Sequence, residues 1–544
     1  MATFPLLQNS AFAALPSLKV VASYAIISLF TITTIYLVQN EIYRYTRRIK
    51  KLPGPRGWPV VGNLFQKKSD EIPAETYRKW ATTYGPVFQI QLGNTTAVVV
   101  NTADAARKLF VTNRTGMMSR PIFYVLHKKV SKAVASIGTS PWDESCRRRR
   151  KLAAAALNRP RVESYAPILN LESREFLRDL LSVLSKGPGD DGDVDFRPAV
   201  QKFALNLSLT LNYGTRVSSA NALHEDPLMA EIIQVESAVS RFRDTSRNYA
   251  NYIPILRYWE PVAAVLRIGS SPAGYASDIG RRRLAYNDVL LDRLKDQVAK
   301  GEDKPCIQGV VLRDPESATL TREELISVSL SMMAGADSNQ PTLSWAILLL
   351  AHRQDVQDKA FQAIKECGVL DSPSDAYAAT HVAYIEAFTR EISRYFAVLK
   401  LALPKATYTD VEWQGATIPA NTLVFLNSWA INRDPTLFTD ADVFAPERWL
   451  PGSPDHQAHQ YAFGIGGRMC VASLLAQTAL YTVFLHLIAH FHILPAQGST
   501  SEEIHPLLGL KGRSFVATPR GYKARFIPRN ESALKAFIDG SQNP

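Results

Sequence analysis

Cysteine is scarce in this chain: Cys146, Cys306, Cys367 and Cys470 are the only four in 544 residues. They are too few and too widely spaced for a disulfide framework, and no Cys-x-x-Cys or Cys/His spacing of a zinc site occurs. Reduced thiols in a reducing compartment are expected. No Gly/Ser/Pro-rich linker divides the middle of the chain, so with 46% hydrophobic residues one large core is expected. No strand-helix unit carries Gly-x-Gly-x-x-Gly, which excludes a dinucleotide or flavin domain of the chain's own. The net charge of +12 lacks any zinc finger, helix-turn-helix or aromatic RNA-binding signature, so nucleic acid is not expected as a partner.

Charge is also missing from Val20 to Val38, a run whose length spans a bilayer core at 1.5 Å per residue. Arg44, Arg47, Arg48, Lys50 and Lys51 follow it, and only Lys19 precedes it, so the bulk of the chain is expected on the cytoplasmic side. A signal peptide is the rival reading, but the run is longer than a usual signal core and no small-residue cleavage site follows. Residues 1–19 are then a short N-terminal segment, 20–38 an anchor and 39–59 a basic, proline-rich connector, stiff because each proline in Leu52-Pro53-Gly54-Pro55-Arg56-Gly57-Trp58-Pro59 fixes φ. Residues 60–544 form the one large domain expected. Near its start, the alternation from Val87 to Val100 predicts two strands joined at Gly93-Asn94.

Phe463-Gly464-Ile465-Gly466-Gly467-Arg468-Met469-Cys470 reads as a glycine-permissive loop that delivers one sulfur to a metal. Arg468 puts a cation two residues before the sulfur, within reach of an acidic group on a flat cofactor. The residues after Cys470 turn apolar and helix-prone, so the thiol sits at a loop-to-helix junction where backbone N–H groups lower its pKa.

Further upstream, Thr321-Arg322-Glu323-Glu324 is a capping box that opens a long apolar helix. Its middle, Met333-Ala334-Gly335-Ala336-Asp337-Ser338-Asn339-Gln340-Pro341, predicts a break in the helical ladder, because Gly335 removes a side chain and Pro341 withdraws a donor and clashes with the preceding turn. Glu391 and Arg394 lie three apart on one helical face, and Ala445-Pro446-Glu447-Arg448-Trp449 follows some fifty residues later. Pro141-Trp142 precedes five consecutive cations, Arg147 to Lys151, which are expected to open a helix.

These stretches, in this order, resemble the cytochrome P450 family. The cysteine loop matches F-x-x-G-x-R-x-C-x-G/A, with Ala472 in the last slot. The resemblance implies a mainly α fold with small β-sheets behind an N-terminal transmembrane helix. It implies heme b held by the Cys470 thiolate, with Phe463, Gly464, Gly466 and Arg468 at the cofactor and Phe463 over the sulfur. Asp337 and Ser338 match the A/G-G-x-D/E-T stretch that delivers protons to dioxygen, with serine in place of threonine. Glu391, Arg394 and Arg448 match the triad that holds the segment before the cysteine loop.

Trp142 matches a residue that bonds a heme propionate, but Cys146 stands where the family's arginine would, and the partner among Arg147–Arg150 stays open. Lys405 occupies the place of a His or Arg that meets a propionate, and Asn432 replaces the His of the A-x-H-R-D-P turn. Residues 186–270, with the break at 187–192, match the variable roof over the substrate.

The implied function is a monooxygenase that inserts one atom of O2 into a small organic substrate. Electrons would come from NADPH through a separate NADPH-cytochrome P450 reductase, with cytochrome b5 as a second donor, at the endoplasmic reticulum membrane. Gly138–Tyr165 is similar to fungal members that hydroxylate small aromatic acids and phenols, the phenylacetate and cresol-type hydroxylases, in secondary metabolism or aromatic catabolism. A terpenoid or fatty-acid substrate, a heme-thiolate isomerase or dehydratase without O2 activation, and a heme-dependent sensor are the alternatives. The Asp337-Ser338 pair discriminates against the last two, which need no proton relay.

Overall fold

The uncharged run grows into α1, Leu18–Thr46, which reaches past the expected end at Val38. In the computed structural model, which describes residues 18–66, 71–133, 135–185, 192–217, 226–244, 248–258, 272–333, 335–371, 381–512 and 515–540, its apolar run Val20–Val38 is not buried, whereas Asn40 and Arg44 beyond the run are. With mean hydropathy 1.9 it is long and apolar enough to cross a membrane. The proline-rich stretch after it packs along the first strand: Gln89 donates its N–H to the Pro53 carbonyl at 2.8 Å, and Ile49 and Leu52 are buried. A Cβ on Gly54 would lie 1.9 Å from the Gln89 oxygen, so this contact requires glycine.

The alternating residues form β1, Val87–Leu92, and β2, Thr95–Val100, paired antiparallel with Leu92 opposite Thr95. Two distant strands complete the sheet, β3, Lys405–Ala406, and β4, Leu423–Leu426, in the order β1-β2-β4-β3. β2 and β4 run parallel, which brings segments more than 300 residues apart together and sets Lys405 at the sheet's end, opposite Val424. A three-stranded and a two-stranded sheet are smaller satellites.

Helices make up most of the rest. Those that position the site are α2, Glu144–Ala155; α3, Arg197–Tyr213; α4, Pro227–Arg243; α5, Arg322–Met333; α6, Ala336–His352; α7, Ala383–Phe396; and α8, Ser473–His490. The capping box opens α5: the Glu324 N–H donates to Thr321 Oγ1 at 3.2 Å, and the Thr321 N–H to the Glu324 carboxylate at 3.0 Å. α6 is polar in its first turn and buried on every side from Pro341 to Ala351, where its residues are mainly apolar. Its Trp345 has no exposed surface, stacks on Phe396 at 4.5 Å and donates Nε1–H to the Ala517 carbonyl at 2.8 Å. Burial of such a side chain contributes about 1.5–3 kcal/mol. α8 is apolar enough to span a membrane but is 67% buried as a core helix.

The helix interruption lies elsewhere than Pro341. α5 ends at Met333, α6 begins at Ala336 with Gly335 as its cap, and α6 continues through Pro341. The proline forfeits only its bond to the Asp337 carbonyl, in the first turns of a helix that has just restarted, where the cost is smallest. Most of the expected roof break at 187–192 lies outside the described residues.

Candidate active site

The cysteine loop folds as a hairpin-like turn closed by the Cys470 N–H on the Phe463 carbonyl at 3.0 Å. Gly464 and Gly466 take φ of +75° and +77°, whereas Gly467 stays at negative φ. A Cβ on Gly466 would stand 2.1 Å from the Phe110 carbonyl oxygen, so the loop can rest on the Phe110 segment only with glycine there. Phe463, Gly464, Arg468, Met469 and Cys470 all face an internal cavity of about 280 Å³, and the open surface of Cys470 is cavity wall. Burial pushes the Cys470 thiol up, against the expected lowering; the Ala472 N–H and Arg150 pull it down, but by less. A metal would reverse this balance by taking the thiolate directly.

Cations gather around the loop. Arg468 donates from Nη1 to the Met118 carbonyl at 2.7 Å and from Nη2 to those of Ile137 and Ser140 at 2.9 and 3.0 Å. Lys405, delivered by β3, donates to the Ile465 carbonyl at 2.8 Å. Arg150 donates to the Met469 carbonyl at 2.7 Å and lines the cavity. Arg149 turns away, to the Ala135 carbonyl at 3.0 Å and to Ser327, and Arg147 pairs with exposed Glu144. Of the four arginines left open by the sequence, Arg150 therefore stands at the cavity. Trp142 packs 5.8 Å from the Arg468 guanidinium, behind the cavity wall rather than on it.

A fourth cation, Arg120, had no motif to mark it. It donates to the carbonyls of Pro404 at 2.9 Å and Arg468 at 3.2 Å. Among the described residues none of these four cations pairs with a carboxylate, and the Nε atoms of Arg120 and Arg468 are buried without a partner. Burial, followed by mutual repulsion, holds Arg120 and Lys405 well below their usual pKa, and burial brings Arg468 down to about 10. Uncompensated buried cations beside a sulfur-bearing wall fit a flat group that carries two acids and a thiolate-seeking metal, as heme does.

The opposite wall is the start of α6. Asp337, Ser338, Asn339 and Thr342 line the cavity, and the Ser338 hydroxyl donates to the Gly335 carbonyl at 3.1 Å. Asp337 meets Arg243, the last residue of α4, at 3.1 Å. Burial pushes its carboxyl up to about 6, although Arg243 pulls it down.

Behind the loop, Glu391 accepts from Arg394 at 2.8 Å and from Arg448 at 3.1 Å, and all three are buried. Trp449 Nε1–H at 2.9 Å and the Ala445 N–H at 3.0 Å complete its shell. Asp455, unmarked by any motif, takes the other side of Arg448 at 2.5 Å. The departure at Asn432 has a visible role: its Oδ1 accepts the Tyr461 N–H at 2.8 Å and its Nδ2 donates to the Arg394 carbonyl at 3.3 Å, tying the triad to the approach of the cysteine loop.

The family model for cytochrome P450 matches residues 52–526. The chain is 45% identical over 509 residues to a 3-hydroxyphenylacetate 6-hydroxylase of Emericella nidulans, covering 93% of this chain and 94% of that one. It is 38% identical to a phenylacetate 2-hydroxylase of the same organism, over 91% and 93%, and 36% identical to a cytochrome P450 monooxygenase of Mycosarcoma maydis, over 98% and 96%. With a cavity-facing cysteine on the signature loop and matches over nearly its whole length, the chain belongs to the cytochrome P450 monooxygenase family.

Proposed function

We propose that this protein hydroxylates a small aromatic acid of the arylacetate kind. One observation carries the reading: 45% identity over 93% of the chain to a hydroxylase of 3-hydroxyphenylacetate. The mainly apolar cavity wall, with Leu207, Leu211, Ile307, Val398 and Phe515, suits an aromatic ring.

Heme would be held by the Cys470 thiolate, with Phe463 beside the sulfur. Arg120, Arg150, Lys405 and Arg468 would meet its acidic groups, and their lack of carboxylate partners supports this. With a thiolate ligand, heme supplies dioxygen activation and insertion of one oxygen atom into a C–H bond. The chain's part is to bind the ring, exclude water and move protons. Asp337, whose carboxyl titrates near 6, holds a proton at a pH where an ordinary aspartate has lost it. Ser338, one residue on and also on the cavity wall, would pass that proton inward through its hydroxyl. This acid and hydroxyl favour oxygen activation over an isomerase that needs neither.

Electrons would come from NADPH through a separate reductase, with cytochrome b5 as a second donor. α1 would anchor the protein in the endoplasmic reticulum with the catalytic body in the cytoplasm, a reading supported by the cations that follow its apolar run. The test is NADPH-dependent turnover in microsomes with a co-expressed reductase, fed phenylacetate, 3-hydroxyphenylacetate, a fatty acid and a terpenoid. A ring-hydroxylated aromatic acid is expected; turnover of the fatty acid or terpenoid alone overturns the substrate class.

A further inference from the structure

Five cations stand on the cavity wall, and four of them, Arg120, Arg150, Lys405 and Arg468, act on one another around the cysteine loop. Arg243 is the fifth and belongs to a different set. After burial itself, the groups that bear on it most are Arg283, Asp337 and Glu236, with Tyr286 behind them.

Those neighbours leave Arg243 undercompensated. Arg283 grips Glu236 through Nε at 2.6 Å and Nη2 at 2.9 Å, and the Tyr286 hydroxyl donates to the same carboxylate at 2.6 Å. Glu236 is thus saturated, and among the described residues the one hydrogen bond of the Arg243 guanidinium runs from Nη1 to Asp337 at 3.1 Å. A guanidinium carries five N–H donors in a fixed fork. Asp337 is also a weak counter-ion, because its own buried carboxyl gives up its proton only near pH 6. A buried, cavity-lining arginine with most of its donors uncommitted is costly unless an anion arrives.

We infer that Arg243 receives the carboxylate of the substrate, sharing its guanidinium between that carboxylate and Asp337, and so makes the cavity selective for aromatic acids over neutral aromatics. The inference rests on the aromatic-acid reading above and adds the residue that would enforce it. An arginine fork binds a carboxylate through two parallel bonds, a geometry that neither an amide nor a lysine reproduces.

Equilibrium dialysis of the full-length holoprotein in lipid nanodiscs tests it, with phenylacetate and its neutral isostere phenylacetamide as probes. The wild type should bind the acid about 10–100-fold more tightly, the worth of a charge-assisted pair. Arg243→Gln should bring the acid-to-amide ratio near one, and Arg243→Lys should lower it several-fold. A wild-type ratio near one overturns the inference. So does an unchanged ratio in Arg243→Gln at wild-type heme content or, should that variant fail to assemble, in Arg243→Lys. If phenylacetate is hydroxylated while the ratio survives these substitutions, the inference alone falls; if the wild type binds neither phenylacetate nor 3-hydroxyphenylacetate, the aromatic-acid reading falls with it.

Discussion

Glu391 and Arg448 are 57 positions apart in the chain and 3.1 Å apart in the fold, with 0% and 4% of their side chains exposed. Arg394 completes the carboxylate's charge balance at 2.8 Å from the same helix. Removal of the shared carboxylate leaves the Arg394 guanidinium without a counter-ion in the interior and Arg448 with Asp455 alone, at a cost of about 3–5 kcal/mol. Glu391→Ala should therefore be recovered largely without heme, as measured by the heme-to-protein ratio of the purified variant. A full complement of heme would show that the triad does not hold the loop.

Arg120 sets a prediction of the opposite kind. Burial and the charges of Arg468 and Arg150 act against it in the absence of an anion. Arg120→Gln relieves that repulsion, so the heme-free chain should be no less stable in urea, while heme should pass to apomyoglobin several-fold faster than from the wild type. Equal transfer rates would remove Arg120 from the cofactor's acidic groups.

Ser338 keeps the hydroxyl of the proton relay but lacks the methyl that stiffens a threonine's χ1. Its bond to the Gly335 carbonyl at 3.1 Å is the only fixed hydrogen bond of that hydroxyl among the described residues. Ser338→Ala should raise peroxide released per NADPH consumed by several-fold, and Ser338→Thr should lower it. Unchanged coupling in both variants would exclude the relay.

Asp337 gives a pH prediction whose sign can be worked through. Its carboxyl is pushed up to about 6 by burial; Arg243 and Arg283 and the Ser240 hydroxyl pull it down, and Glu236 raises it further. A substrate carboxylate that shares Arg243 adds a negative charge and weakens that pull, so the bound state holds more proton than the free one. Binding of an aromatic acid should therefore tighten as pH falls from 8 to 6, by less than tenfold per pH unit, and Asp337→Asn should flatten the profile. A flat wild-type profile between those values would contradict the coupling.

Much of this site was legible because its signals are local. The cysteine loop needs glycines within six residues of the sulfur, and the two that take positive φ, Gly464 and Gly466, lie in the motif itself. The capping box at Thr321 and Glu324 and the strand pair around Gly93 are equally short-range. Arg120 and Arg243 are different: each reaches the cavity across a long separation, 348 residues from Arg120 to Arg468 and 94 from Arg243 to Asp337, and no spacing rule links such partners. Arg150 was one of four adjacent arginines, and only the rotation of α2 distinguishes it from Arg149. The sulfur's titration was misread for a related reason, since a junction's N–H groups are visible in sequence and the depth of burial that outweighs them is not.

The proposed activity depends on the Cys470 sulfur as the ligand to heme iron, and one spectrum tests that bond most directly. Reduced, carbon monoxide-treated holoprotein should show the strongly red-shifted Soret band of thiolate ligation, and Cys470→Ser should abolish it. An unshifted band in the wild type, or a band that survives the substitution, would contradict the assignment of Cys470 and the function built on it.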